Sequence, residues 1–216
     1  MDRAHNMSNR SYLRLAFMTA PPVSPEPRKR PRQARSMSTV AAMVEATARI
    51  VETLGLDALT TNRVAEWAGV SIGSLYQYFP TKDALLAEVI RRERGALLQD
   101  IQQAAATAGD LPSIIDAFLH AGLAHQFKRP RLARALEFAE TSLPMRDEDQ
   151  ALRLQISEHL ESLLDLHGVR NAKVAAADTI ALCRGMIDAA AIRGETDAAA
   201  IFPRLRRAVI GYLAGD

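Results

Sequence analysis

From Ser36 to the end of this 216-residue chain, apolar residues recur at intervals of three and four and almost nowhere alternate one by one. A period near 3.6 builds amphipathic helices, whereas strands need alternating runs rich in Val, Ile and Thr. The chain is therefore expected to be all-α. Val40, Met43, Val44, Thr47, Ile50, Val51 and Leu54 give one buried face to a helix from about Ser38 to Leu54, stopped by Gly55. Eight more helices are expected, over about Thr61–Ala68, Ile72–Tyr78, Lys82–Thr107, Pro112–Phe127, Pro130–Thr141, Asp147–Leu166, Ala172–Ile192 and Asp197–Ala214. Proline near helix starts and glycine after their ends follow the preference of the backbone.

Before Ser36 the texture is different. Five of the ten prolines fall between Pro21 and Pro31, a density that removes amide donors and blocks helix. Residues 1–35 are read as an extended arm, 36–82 as one domain and 83–216 as a second. The formal net charge is only +2, yet residues 1–35 carry eight Lys or Arg against two acidic residues. A basic arm is attached to a mildly acidic body. The single cysteine, Cys183, cannot form an internal disulfide, and no apolar run approaches the roughly 20 residues needed to span a bilayer. A soluble, cytoplasmic protein is expected.

The stretch from Thr60 to Phe79 carries the most chemical information. Two short helices crossing steeply need a small residue where they touch, a glycine in the turn and apolar residues facing a shared core. Ala65 supplies the first, Gly69 the second, and Val64, Ala68, Val70 and Leu75 the third. Thr60 or Thr61 can cap the first helix and Ser71 the second, which leaves amides at both N-termini to meet phosphates. The pattern is that of a helix-turn-helix.

Leu59-Thr60-Thr61, Val64-Ala65, Ala68-Gly69-Val70-Ser71, Gly73-Ser74-Leu75-Tyr76, Tyr78-Phe79 and Lys82-Asp83-Ala84-Leu85-Leu86 together resemble the DNA-binding signature of the TetR family of transcriptional regulators. The likeness covers about Ser38 to Leu86; the rest matches in being helical and of suitable length. It implies that Ile72–Tyr78 enters the major groove, with Ile72, Gly73, Ser74 and Gln77 towards base edges. Gln77 has the geometry to pair with adenine and Ile72 to touch a thymine methyl. Tyr76, Tyr78, Thr61, Asn62 and Lys82 would meet phosphates, and the cap residues Thr60 and Ser71 complete the set. Relatives often carry a longer basic or polar side chain where Asn62 sits. Plainer readings stand beside these: Tyr76, Tyr78 and Phe79 as core aromatics, Lys82 as a solvated helix start, Trp67 as packing.

Residues 36–94 hold six basic and seven acidic side chains, so the reader itself is nearly neutral. Because phosphate attraction scales with the cations brought to the backbone, the arm residues Arg28, Lys29, Arg30, Arg32 and Arg35 are candidates for DNA contact, set against a merely solvated tail.

The resemblance also implies an effector-binding and dimerisation body whose last two helices form the homodimer interface. Independently, wide faces of small and apolar residues on Ala172–Ile192 and Asp197–Ala214 suit burial on two sides. A dimer reads a palindromic operator with half-sites about one helical turn, roughly 34 Å, apart or more. Phe118, His120, Phe138 and Met145 are candidates for the pocket of an unknown small molecule, with His125, Phe127, Glu137 and His159 also on the middle helices. His120 and His125, five apart, face different ways, which disfavours a two-histidine metal site. No metal, cofactor or catalytic set is expected. The leading expectation is a repressor released by an effector; an activator, an architectural DNA-binding protein and, less so, a small-molecule enzyme are the alternatives.

Overall fold

A computed structural model describes residues 34–107, 109–140, 143 and 147–215. Among these there are nine α-helices and no strand: α1 (Ala34–Leu54), α2 (Thr61–Ala68), α3 (Ile72–Tyr78), α4 (Lys82–Thr107), α5 (Leu111–Lys128), α6 (Pro130–Glu140), α7 (Asp147–Leu166), α8 (Ala172–Ile192) and α9 (Ala198–Leu213). The expected all-α order holds, with boundaries moved by a residue or a few. The largest shift is at α1, which begins at Ala34 rather than near Ser38. Ala and Arg are strong helix formers, and Pro31 lies far enough upstream to cost the helix no hydrogen bond. One 3-10 turn, Leu56–Ala58, lies between α1 and α2 and is too short to carry a periodicity.

Two apolar clusters hold the helices together. The first gathers Met43, Ile50, Val64, Leu75, Phe79, Leu85 and Ile90 from α1 to α4, and adds Leu132, Leu136 and Ala139 of α6. Packing thus runs from the helix-turn-helix into the body through α4 and α6 together. The second cluster joins Ile101 of α4 to Ile115 and Leu119 of α5, Leu160 and Leu164 of α7, Ala176 and Ile187 of α8, and Leu205 of α9. At roughly 25 cal/mol per Å² of apolar surface removed from water, such clusters supply the main force holding the bundle together.

No helix among the described residues is long and apolar enough to cross a membrane.

Candidate nucleic-acid interface

The turn between α2 and α3 is fixed by backbone chemistry. Gly69 takes the left-handed conformation at φ 66° and donates to Glu66 O at 3.1 Å, while Val70 N–H reaches back to Ala65 O at 3.0 Å. This pair of bonds closes a Schellman motif, and a residue with a Cβ adopts its central φ only at a cost. Thr60, not Thr61, caps α2, its Oγ1 accepting from Arg63 N at 3.2 Å; Ser71 caps α3 by accepting from Ser74 N at 3.0 Å.

With both ends fixed, α3 has one side available. Leu75 is fully buried in the first cluster, and Tyr78 is half-buried against it. Ile72 (38% exposed), Tyr76 (43%), Gly73 and Gln77 project outward from the same short helix, with Ser71 exposed at its cap and Ser74 half-buried beside it. Ser71 and Ser74 share a hydroxyl hydrogen bond of 2.8 Å. The Tyr76 and Thr61 hydroxyls lie 3.0 Å apart, tying the start of α2 to the middle of α3. Thr60, Asn62 and Lys82 are exposed, and Thr61 is half-buried. Ile72, Gly73, Tyr76 and Gln77 thus share one outward side of α3, with Thr61 joined to it through Tyr76, while Tyr78 packs against the core and Phe79, 1% exposed, is a core aromatic.

Two reader cations are already occupied. The Arg49 guanidinium lies 5.4 Å from the centre of the Trp67 ring, and Arg63 donates through Nη1 to Ala58 O. Arg28, Lys29, Arg30 and Arg32 lie outside the described residues. Arg35 falls within the first turn of α1, and its side chain too lies outside what is described.

A cavity of about 240 Å³ opens between α4, α5, α6, α7 and α8. Phe118 lines it, as do His125 and Glu137. His120 does not: it is exposed, and its ring stacks on Phe202 of α9 with centroids 4.0 Å apart. Phe138 does not either, being 70% exposed on the outer side of α6. Both positions follow from helix phase, since Leu136 and Ala139 take the inward places around Phe138. Met145 lies outside the described residues. Sequence reasoning missed Arg94, Gln126, Arg129, Arg184 and Asp188, charged or polar groups that singly look like solvated helix residues.

Burial pushes the His125 imidazole below its ordinary range and the Cys183 thiol up to about 12, so both are uncharged near neutrality. Across the cavity wall Arg94 pairs with Glu140, both side chains nearly enclosed. Arg129 pairs with Glu52 and Glu45 of α1. No group of three His, Cys, Asp or Glu among the described residues is placed to hold a metal ion.

A family model described as "Bacterial regulatory proteins, tetR family" matches residues 43–89, and one described as "Tetracyclin repressor-like, C-terminal domain" matches residues 110–213. Nucleoid occlusion factor SlmA of Actinobacillus pleuropneumoniae is 28% identical over 109 residues, 50% of this chain and 52% of that protein. The chain thus spans about half the length of the curated relatives it matches. Among solved structures, the fatty acid degradation regulator FadR from Bacillus halodurans superimposes with a TM-score of 0.69 at 14% identity, over 79% of this chain and 94% of that one. A TetR-like transcriptional regulator from Rhodococcus sp. RHA1 does so with 0.63 at 20% identity, over 87% and 100%. Helix-turn-helix, nine-helix order and the two family matches lead to one assignment: the chain belongs to the TetR family of DNA-binding transcriptional regulators.

Proposed function

We propose that the protein is a homodimeric repressor that binds a palindromic operator and is released from it by a small molecule held in the cavity. The observation that carries this reading is the outward face of α3. Ile72, Gly73, Tyr76 and Gln77 are presented by a helix anchored through Leu75, which is the arrangement a major-groove reader requires. In this reading Ile72, Gly73, Ser74 and Gln77 approach base edges. Thr60, Thr61, Asn62, Ser71, Tyr76, Tyr78 and Lys82 hold phosphates, and the arm residues Arg28, Lys29, Arg30, Arg32 and Arg35 add sequence-independent attraction.

Domain roles follow the same division: arm over 1–35, reader over 36–82, effector-binding and dimerising body over 83–216. Dimerisation is assigned to α8 and α9. Val174, Ala177, Ala181 and Gly185 form an exposed stripe on α8 at helical spacing, small enough for close approach of a second helix. Phe118 is retained as an effector contact.

Release works through two elements that the cavity shares with the reader. Ile90, Glu93, Arg94, Leu97 and Ile101 of α4 form one wall, and Arg129 links another wall to α1. A ligand that prefers a different spacing of these walls biases the separation of the two α3 helices away from the groove repeat.

A second reading, a DNA-binding protein with many sites along the chromosome, is favoured by the likeness to nucleoid occlusion factors. Selection of bound fragments from genomic DNA by the full chain separates the two. A few sites beside regulated genes support the repressor, many dispersed sites support the second reading, and binding without sequence preference overturns both.

A further inference from the structure

The charged groups on the cavity wall do not balance one another. Glu140 is taken up by Arg94, Glu93 by Arg92, and Arg129 by Glu52 and Glu45. Glu137 on α6 and Asp188 on α8 remain, with Arg184 one helical turn before Asp188. Among the described residues neither Glu137 nor Asp188 makes an ion pair or side-chain hydrogen bond. Both are half-buried, whereas Arg184 and, on α6, Arg134 are exposed and offset Glu137 only in part. Burial, and then the neighbouring Asp188, hold the Glu137 carboxyl above its usual range, which is the mark of a carboxylate short of positive charge. No compensation comes from the other titratable groups in the cavity, since His125 is held neutral by burial and Cys183 stays a thiol. Phe118, Leu136, Ile156, Ile180 and Ile187 make the rest of the lining largely apolar.

We propose that the cavity takes an amphiphilic organic cation, its apolar body against Phe118, Ile180 and Ile187 and its ammonium group between Glu137 and Asp188. The proposal deepens the effector reading above and rests on it. A cation supplies the charge that this pair lacks and gains two acceptors in a site partly withdrawn from water. An anion is less well served. The lining guanidinium of Arg184 is exposed and stands near Glu137 and Asp188, whose carboxylates repel an anion there. To reach either of the other two guanidiniums in the walls it must displace Glu140 from Arg94 or the α1 carboxylates from Arg129, leaving partly buried carboxylates unpaired.

Three probes with one tail and different heads test the charge: octylamine, octanol and octanoate, titrated calorimetrically into the full chain near neutral pH. Octylamine is expected to bind about tenfold or more tightly than octanol, and octanoate more weakly than either. Glu137→Gln and Asp188→Asn should each remove most of the amine's advantage while leaving octanol binding and the thermal midpoint nearly unchanged. Ile180→Trp, which fills the cavity, should weaken all three. Preference for octanoate, or an amine preference that survives both carboxamide substitutions, overturns the cationic class while leaving the effector site standing. Binding insensitive to Ile180→Trp, or no binding by any probe, overturns the cavity as an effector site and with it the reading beneath.

Discussion

Arg129 donates to Glu52 Oε2 through two nitrogens, Nε at 2.8 Å and Nη2 at 2.6 Å, and so joins the α5–α6 junction to α1 across the cavity rim. Longer contacts to Glu45, at 3.3 and 3.4 Å, add a second carboxylate that Arg92 also holds at 2.8 Å. Two donors on one carboxylate oxygen fix both distance and direction, which a single point charge would not. The same side chain therefore borders the cavity and grips the first reader helix.

Arg129→Gln should lower stability by about 1 kcal/mol, a modest figure because both partners keep some solvent contact. The informative experiment is a double-mutant cycle with Glu52→Gln, followed by denaturant unfolding. The double variant should lose little more than either single one, giving a coupling of roughly 0.5–1.5 kcal/mol. Fully additive losses would mean that the contact carries no coupling.

Gln77 of α3 and Lys82 at the start of α4 are both exposed, yet they are expected to fail differently. Gln77→Ala should cost about 1–3 kcal/mol on the best site and relax preference at one base pair. Lys82→Ala should weaken all sequences alike and make the slope of log K against log salt shallower by about one. Binding of a small set of variant operators at several salt concentrations distinguishes the two patterns. A uniform loss for Gln77→Ala would remove it from the base-reading set.

Gly69 and Gly73 sit four residues apart in sequence but differ in backbone conformation. Gly69 has φ 66° and open space where a Cβ would go, so Gly69→Ala meets backbone strain alone and should cost about 1–2 kcal/mol of stability. Gly73 lies within α3, with only Ser71 Oγ near, at 3.9 Å from the added carbon. Gly73→Ala should leave stability unchanged or raise it by up to roughly 1 kcal/mol, because alanine is the better helix former. If Gly73 lets the helix approach base edges closely, the same substitution weakens operator binding. Unaltered DNA affinity in Gly73→Ala would show that no such approach occurs.

The helix-turn-helix was legible because its signals are local: caps, a turn glycine and a short apolar period. Thr60, Gly69, Ser71 and Leu75 all act within a few residues of where they stand. The cavity was less so, since its lining is set by the relative phase of five helices. His120 and Phe138 looked like pocket residues by type, but the rotation of α5 and α6 turns one onto Phe202 and the other to solvent. Arg129 was invisible for the same reason. In sequence it reads as the basic residue before a helix-starting proline, and its role needs Glu52, 77 positions away.

His125 predicts an acid sensitivity. Burial is the main cause of its lowered pKa, opposed by Glu93 and Asp100 and reinforced by Arg94 and Lys128. The unfolded chain then binds more protons than the folded one between the folded value and about 6.5. Stability should rise with pH through that window and fall as pH drops below about 6.5. Thermal midpoints measured from roughly pH 5 to 8 should show this slope flattened in His125→Gln. An equal slope in both proteins would assign the sensitivity to other groups.

The arm is where the electrostatic share of DNA binding is expected to reside. Within residues 36–82 the cations are Arg49, Arg63 and Lys82, and the first two are engaged by Trp67 and the Ala58 carbonyl. One exposed lysine per reader brings little counterion release. In sequence, Arg28, Lys29, Arg30 and Arg32 come two to six residues before α1 begins at Ala34. Deleting residues 1–33 keeps α1 whole and should make the salt slope shallower by roughly 3 to 4 per reader if each of the four meets a phosphate. Affinity at low salt should fall, while the ranking of operator variants stays the same, because phosphate contacts carry no sequence information. An unchanged slope would place the arm away from DNA, and a changed ranking would give it a reading role in the minor groove.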